Sequence, residues 1–237
     1  MKKTVLLFTM SLLGLSTILN SSIIYANEST DLYIEANRSV GNDVKLSPEQ
    51  QKILDNMENK EKEYLRYGLS APVKSDKKDF SRSSIGSWSW RDGLICVTDE
   101  GIGTRHINTW HAAIICPQIT EGVVEAAGIN EGVRYREGVW GSNSYTVWQI
   151  GVNDTSVQQD WYAGNWAGDQ WGKPYNIMFW NTKQTDSFYC SQLVWAAYYY
   201  TAGVDLNKID NDLGPAIAVH PGEFVSNPKT TILYRNR

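Results

Sequence analysis

Chemistry-bearing residues are scarce in this sequence. There are three cysteines and three histidines among 237 residues. No CxxC pair or His/Cys cluster has the spacing of a zinc site, so no metal centre is expected. Gly101-Ile102-Gly103 is too short for a phosphate loop, and neither a nucleotide nor any other cofactor is expected. Runs of Lys and Arg are also lacking, and the formal net charge is −4. A mildly acidic chain without a basic patch is not built to bind nucleic acid. Internal repeats and low-complexity tracts are missing as well.

The first residues carry an address. Lys2 and Lys3 precede an apolar stretch from about Val5 to Leu19, and Ile24-Tyr25-Ala26 leads into Asn27. This is the pattern of a secretory signal peptide over residues 1–26. Thr and Ser interrupt the apolar run, which is short for a membrane span. No Cys lies near the expected cleavage point, which argues against a lipoprotein anchor. The expected destination is secretion or the cell wall, and such an address is compatible with contact at a wall or membrane surface. Cleavage after Ala26 leaves 211 residues with a net charge of −6.

Residues 27–86 read as an extension. Ser47-Pro48-Glu49-Gln50 is a helix start, with Ser47 as cap and Pro48 at the first helical position. The helix is expected to reach about Tyr67, where Gly68 and Pro72 end it. Lys74 to Ser87 is a charged, Ser-rich linker. The extension fits a spacer, a pro-segment or a packed arm.

Residues 87–237 read as one domain. Short strand candidates cover Gly93–Val97, Trp110–Cys116, Gly122–Ala126, Gly132–Arg136 and Tyr145–Ile150, with Asp99–Thr104 as a turn. Their close spacing implies an antiparallel sheet. Ser156–Trp166 is a helix candidate, and Gly172–Asn176 reads as a turn. Phe188–Thr201 has the strongest helical pattern, with Asp186 or Ser187 as cap and Gly203 at its C-terminal end. Leu193, Val194, Ala197 and Tyr200 share one of its faces. The class is therefore α+β, with a sheet packed against a central helix.

Cys190 lies in the first turn of that helix. Unpaired backbone N–H groups and the positive end of the dipole stabilise a thiolate there. The same groups can receive an oxyanion. A buried structural thiol is the alternative. Cys96 and Cys116 lie in apolar strand runs and read as structural, although the sequence does not say whether they pair. A thiolate nucleophile needs a base. His106 lies in a polar loop and His220 in a Pro-Gly loop, whereas His111 opens an apolar strand, a rigid mount. Glu125 stands in the apolar run Val123-Val124-Glu125-Ala126, where a carboxylate is costly unless paired. In a hairpin, His111 and Glu125 become cross-strand neighbours.

These residues carry a resemblance. Trp110-His111-Ala112-Ala113-Ile114-Ile115, Gly122-Val123-Val124-Glu125-Ala126 and Phe188-Tyr189-Cys190-Ser191-Gln192-Leu193-Val194 together resemble the permuted branch of the NlpC-type papain-like cysteine hydrolases. That branch includes YiiX/YebB-like proteins and is related to the lecithin retinol acyltransferase-like group. Gly172-Lys173-Pro174-Tyr175 and Val219-His220-Pro221-Gly222-Glu223-Phe224 fit the same pattern. The resemblance spans about Trp88 to Tyr234. It implies a permuted papain-like fold with Cys190 as nucleophile, His111 as base and Glu125 as third polar residue. Ala112-Ala113 replaces the more usual Val-Gly, and Gln192 stands where many relatives have Glu. The extension has no counterpart in the pattern.

The expected function is an exported thiol hydrolase cleaving an amide, in cell-wall peptide or a related small amide, through an acyl-enzyme. The same site could serve a lipid ester or amide hydrolase or an acyltransferase. A third reading is a non-catalytic wall- or carbohydrate-binding module using Trp161, Trp166, Trp171 and Trp180 for stacking.

Overall fold

A computed structural model describes residues 48–74, 86–104, 107–176, 181–207 and 218–237. The expected signal peptide, the Ser47 cap, most of the linker, His106 and Trp180 lie outside the described residues.

Helix α1 spans Pro48–Ser70. It does not stop at Tyr67 as expected, because Gly68 serves close approach rather than termination. A Cβ on Gly68 would lie 2.6 Å from Val225 Cγ1 and 3.0 Å from the Trp148 ring. The Gly68 carbonyl also accepts from Trp148 Nε1 at 3.1 Å and from Arg235. The helix packs on the domain, with its Tyr64 at 2% exposure.

The sheet has the strands β1 (Ile95–Thr104), β2 (Ile107–Ile115), β3 (Gly122–Ala126), β4 (Val133–Glu137), β5 (Val147–Val152) and β6 (Thr230–Arg235). Their order is β4-β3-β2-β1-β5-β6, and every neighbouring pair is antiparallel. The stretch Asp99–Thr104 is not a turn. A register shift between Thr98 and Ile102 absorbs the irregular residues, and the β1–β2 ladder resumes as far as Thr104 opposite Ile107.

Period-two alternation gives the sheet two apolar faces. Ile95, Val97, Ala112, Ile114, Val124 and Ile150 face the helices. Leu94, Cys96, Ala113, Ile115, Val123 and Val147 face a cover that includes Trp88, Trp90 and Trp140. Gln149 holds part of that cover: it accepts from Ser89 N–H at 2.9 Å and donates to Ser89 O at 2.6 Å. Cys96 and Cys116 sit in these separate clusters, and all three cysteines are free.

Helix α2 (Val157–Gly168) begins at the Ser156/Gln159 capping box. Helix α3 (Cys190–Ala202) starts later than expected, and its N-cap is Tyr189 rather than Asp186 or Ser187. The reason is a competing set of bonds. Gln184 accepts from the N–H groups of Asp186 and Ser187. Phe188 N–H donates to Pro174 O and Asn176 N–H to Phe188 O, which keeps this stretch extended. Gly203 closes the helix in the left-handed region, at φ 68°. Residues 190–198 are buried, but Tyr200 emerges into solvent and so departs from the face of Leu193 and Ala197. His220 is not in a loop; it caps the short helix α4 (Pro221–Ser226).

Candidate active site

The β2–β3 register pairs Ile114 with Val124 and Ile115 with Val123. Continued one step, it sets Glu125 opposite Ala113, so His111 is a diagonal neighbour of Glu125 rather than its direct partner. Diagonal neighbours lie within reach of long side chains. His111 Nε2 and Glu125 Oε2 are 2.9 Å apart. Both side chains are essentially removed from solvent, at 2% and 1% exposure. Thr98 of β1 lies opposite His111 on the other side.

Two residues complete the surroundings of Glu125, and neither was singled out from the sequence. Trp140 Nε1 donates to Oε2 at 3.0 Å, and its ring stacks on the His111 ring with centroids 5.7 Å apart. Arg134 donates from Nε and a terminal nitrogen to Oε1, each at 3.1 Å. Arg134 was accessible to inspection, because it stands directly opposite Glu125 on β4. Trp140 carries no such signal, since it follows the last residue of β4 by a loop. Burial pushes the Glu125 pKa up, but the bonds from His111, Trp140 and Arg134 win and hold it at about 2.

Cys190 occupies the first position of α3 and is buried. Its thiol donates to Trp110 O at 3.9 Å, and His111 is near enough to act on its ionisation. With Nε2 committed to Glu125, Nδ1 is the ring nitrogen left for sulfur. Burial acts to raise the thiol pKa. The His111 contact and the backbone groups of Ala112 and Ser191 overcome it, and the pKa falls below the ordinary thiol value. His111 moves the opposite way. Burial would lower its pKa, yet Cys190 and Glu125 push it up to about 9. A thiolate–imidazolium pair is the arrangement these shifts favour. The other thiols behave differently: burial raises both, Cys116 to about 12.

Gln192 lies one turn into α3 and is fully buried. Its oxygen accepts from Asn176 Nδ2 at 2.8 Å and from Tyr189 N–H at 3.3 Å. Its nitrogen donates to Thr182 O and Gln184 O at 3.0 and 2.9 Å. It therefore fixes the strand-like approach to Cys190 without touching the thiol. Tyr175 is half-buried and close enough to Cys190 for a negative charge on the thiol to raise its pKa.

His220 lies apart from this arrangement in its bonding. Its Nδ1 accepts from Gly222 N–H at 2.9 Å, and its Nε2 meets Glu61 Oε1 at 3.0 Å. Trp161 and Trp171 are partly exposed, at 36% and 63%, and Trp171 stacks on Tyr135. Trp166 packs instead against Phe188 and Tyr200.

A stretch of YycO, an uncharacterized protein of Bacillus subtilis strain 168, is 31% identical over 81 residues, which is 33% of this chain and 31% of that protein. The chain thus covers about a third of that relative's length. The crystal structure of metalloprotein YiiX from Escherichia coli O157:H7 is similar over 63% of this chain and 99% of its own, with 17% identity and a TM-score of 0.44. Residues 100–234 match the family described as permuted papain-like amidase enzymes, YaeF/YiiX, C92. The chain belongs to this family of permuted papain-like cysteine amidases.

Proposed function

We propose that this amidase works through Cys190, His111 and Glu125 on a peptide or small amide outside the cytoplasmic membrane, with cell-wall peptide as the substrate class. The observation that supports the chemistry is the buried Glu125–His111 bond, with the thiol that His111 influences on the first position of a helix. The thiolate attacks the amide carbonyl carbon and forms a tetrahedral adduct. N–H groups of the first turn of α3, which helix geometry leaves without intrahelical carbonyls, are placed to receive the oxyanion. Protonated His111 then gives its proton to the leaving nitrogen, and the C–N bond breaks. An acyl-thioester remains on Cys190. His111, now neutral, takes a proton from water, whose oxygen attacks the thioester and releases the acid. Glu125 stays ionised throughout, holds the ring orientation and stabilises the imidazolium.

Export and a wall substrate rest on the basic-then-apolar pattern of residues 1–26. Turnover of muropeptides and of short acyl esters by the same preparation tests the substrate class. The amide substrate is expected to be preferred, and a clear preference for acyl esters moves the assignment to lipid chemistry. Cys190→Ala is expected to abolish both activities while leaving the fold intact; retained turnover removes Cys190 from the mechanism.

A further inference from the structure

Helix α1 lies wholly outside the stretch that matches the amidase family, which begins at residue 100. Its Tyr64 is nevertheless 2% exposed and packs in a cluster of three rings with Trp110 and His220. Its ring meets Trp110 edge-on, with centroids 6.5 Å apart. Trp110 immediately precedes His111, and its carbonyl accepts from the Cys190 thiol at 3.9 Å. Tyr64 also lies against His220 at 5.2 Å, and the Trp110 and His220 rings meet each other at 6.0 Å. The preceding residue, Val219, is bonded to both neighbours of the nucleophile. Its N–H donates to the Tyr189 hydroxyl at 2.9 Å, and its carbonyl accepts from the Ser191 hydroxyl at 2.7 Å.

The mounting of Tyr64 is tight. A Cβ on Gly222 would come within 2.4 Å of Tyr64 Cδ2. Glu61, one turn earlier on α1, meets His220 Nε2, so the helix grips this corner at two points. We infer that Tyr64 is a positioning residue, a wedge that holds the start of α3 and the His111 end of β2 at the separation where the thiolate–imidazolium pair forms. This rests on the Cys190–His111 chemistry proposed above. The pair depends steeply on separation, because its attraction falls with distance while its burial cost does not. If α1 only adds apolar cover, loss of Tyr64 lowers stability but leaves the thiol of the folded protein unchanged.

The test is the pH dependence of alkylation by iodoacetamide, read at Cys190 by peptide mass and followed in the full chain alongside circular dichroism and thermal melting. The wild-type protein is expected to react at Cys190 with a midpoint below that of an ordinary thiol. A midpoint at the ordinary value overturns the proposed function, and this inference with it. With a reactive wild type, Tyr64→Leu is expected to raise the midpoint and to slow alkylation near pH 6 by about 10- to 100-fold, the scale of a misplacement near 1 Å. Tyr64→Phe, which keeps the ring, is expected to restore the wild-type profile. An unchanged midpoint in folded Tyr64→Leu overturns the inference and leaves the proposed function standing. Should Tyr64→Leu not fold, Glu61→Ala alters the same corner from its more exposed end. A smaller upward shift is then expected, and an unchanged profile overturns the wedge.

Discussion

At the scale of residues, protonation organises the site. In the proposed mechanism the active form has Cys190 ionised and His111 protonated, so activity is expected across a window between their pKa values. It rises below the ordinary thiol pKa and falls as His111 deprotonates near pH 9. A pH–rate profile checks both limbs; an alkaline limb near 6.5 contradicts the raised imidazole. Stability follows with opposite signs for the two neighbours. The folded pKa of His111 is raised, so its contribution is full below about 6.5 and is lost as pH climbs through about 9. The folded pKa of Glu125 is depressed, so its contribution is present above about 4.3 and is lost as pH falls toward about 2. Thermal melts across pH are expected to decline at both ends. Glu125→Gln removes the anion, leaves Arg134 without its buried partner and unsets the ring. The expected loss in kcat is about 10²- to 10⁴-fold, because the base loses the group that fixes its tautomer and stabilises its cation.

Elements place these groups, and close packing decides how much change they tolerate. Gly68 shows two effects in conflict. Alanine in a helix interior is favoured over glycine by about 1 kcal/mol. At this position, however, the new Cβ would meet Val225 at 2.6 Å and Trp148 at 3.0 Å. Gly68→Ala is therefore expected to destabilise the fold by about 1–3 kcal/mol, and a higher melting temperature would show that α1 can lift away without cost. Gln192 is the other sensitive point, because its amide joins α3 to residues 176, 182 and 184. Gln192→Leu removes the acceptor of Asn176 Nδ2 and Tyr189 N–H and the donor to the carbonyls of Asn181, Thr182 and Gln184. The expected cost is about 1–3 kcal/mol for each unsatisfied buried group that water does not reach. Denaturant unfolding measures it.

For the whole molecule, the sheet with its two apolar faces separates the three thiols by role. Cys96 and Cys116 are buried in different clusters and held neutral by burial, whereas Cys190 stands at the β2–α3 junction with a cation beside it. A thiol electrophile applied to native protein near neutral pH is expected to label Cys190 alone. Cys96 and Cys116 should become reactive only after unfolding. Native labelling of either strand cysteine at a comparable rate contradicts this division. The Tyr64 wedge belongs to this scale as well, because it couples a helix near the start of the described chain to residues from β2 and from the segment before α4.

The sequence by itself determined the local elements and the order of the chemistry. Short apolar runs and, in two segments, alternation located five of the six strands among the described residues, and the shared face of Leu193, Val194 and Ala197 with Gly203 behind it marked the central helix. A carboxylate within Val-Val-Glu-Ala announced a buried partner, because desolvating a charge is too costly to leave unmatched. The resemblance supplied the permuted order. What the sequence left open depended on contacts between distant segments. The helix cap moved to Tyr189 because Gln184 and Pro174 claimed the preceding backbone groups. Gly68 stayed helical because Trp148 and Val225 required its bareness. Glu125 found Trp140, and the arm found the nucleophile's surroundings, across separations that no local period encodes. Backbone propensity acts over a few residues, whereas packing and the satisfaction of buried polar groups are settled only when the chain is closed on itself.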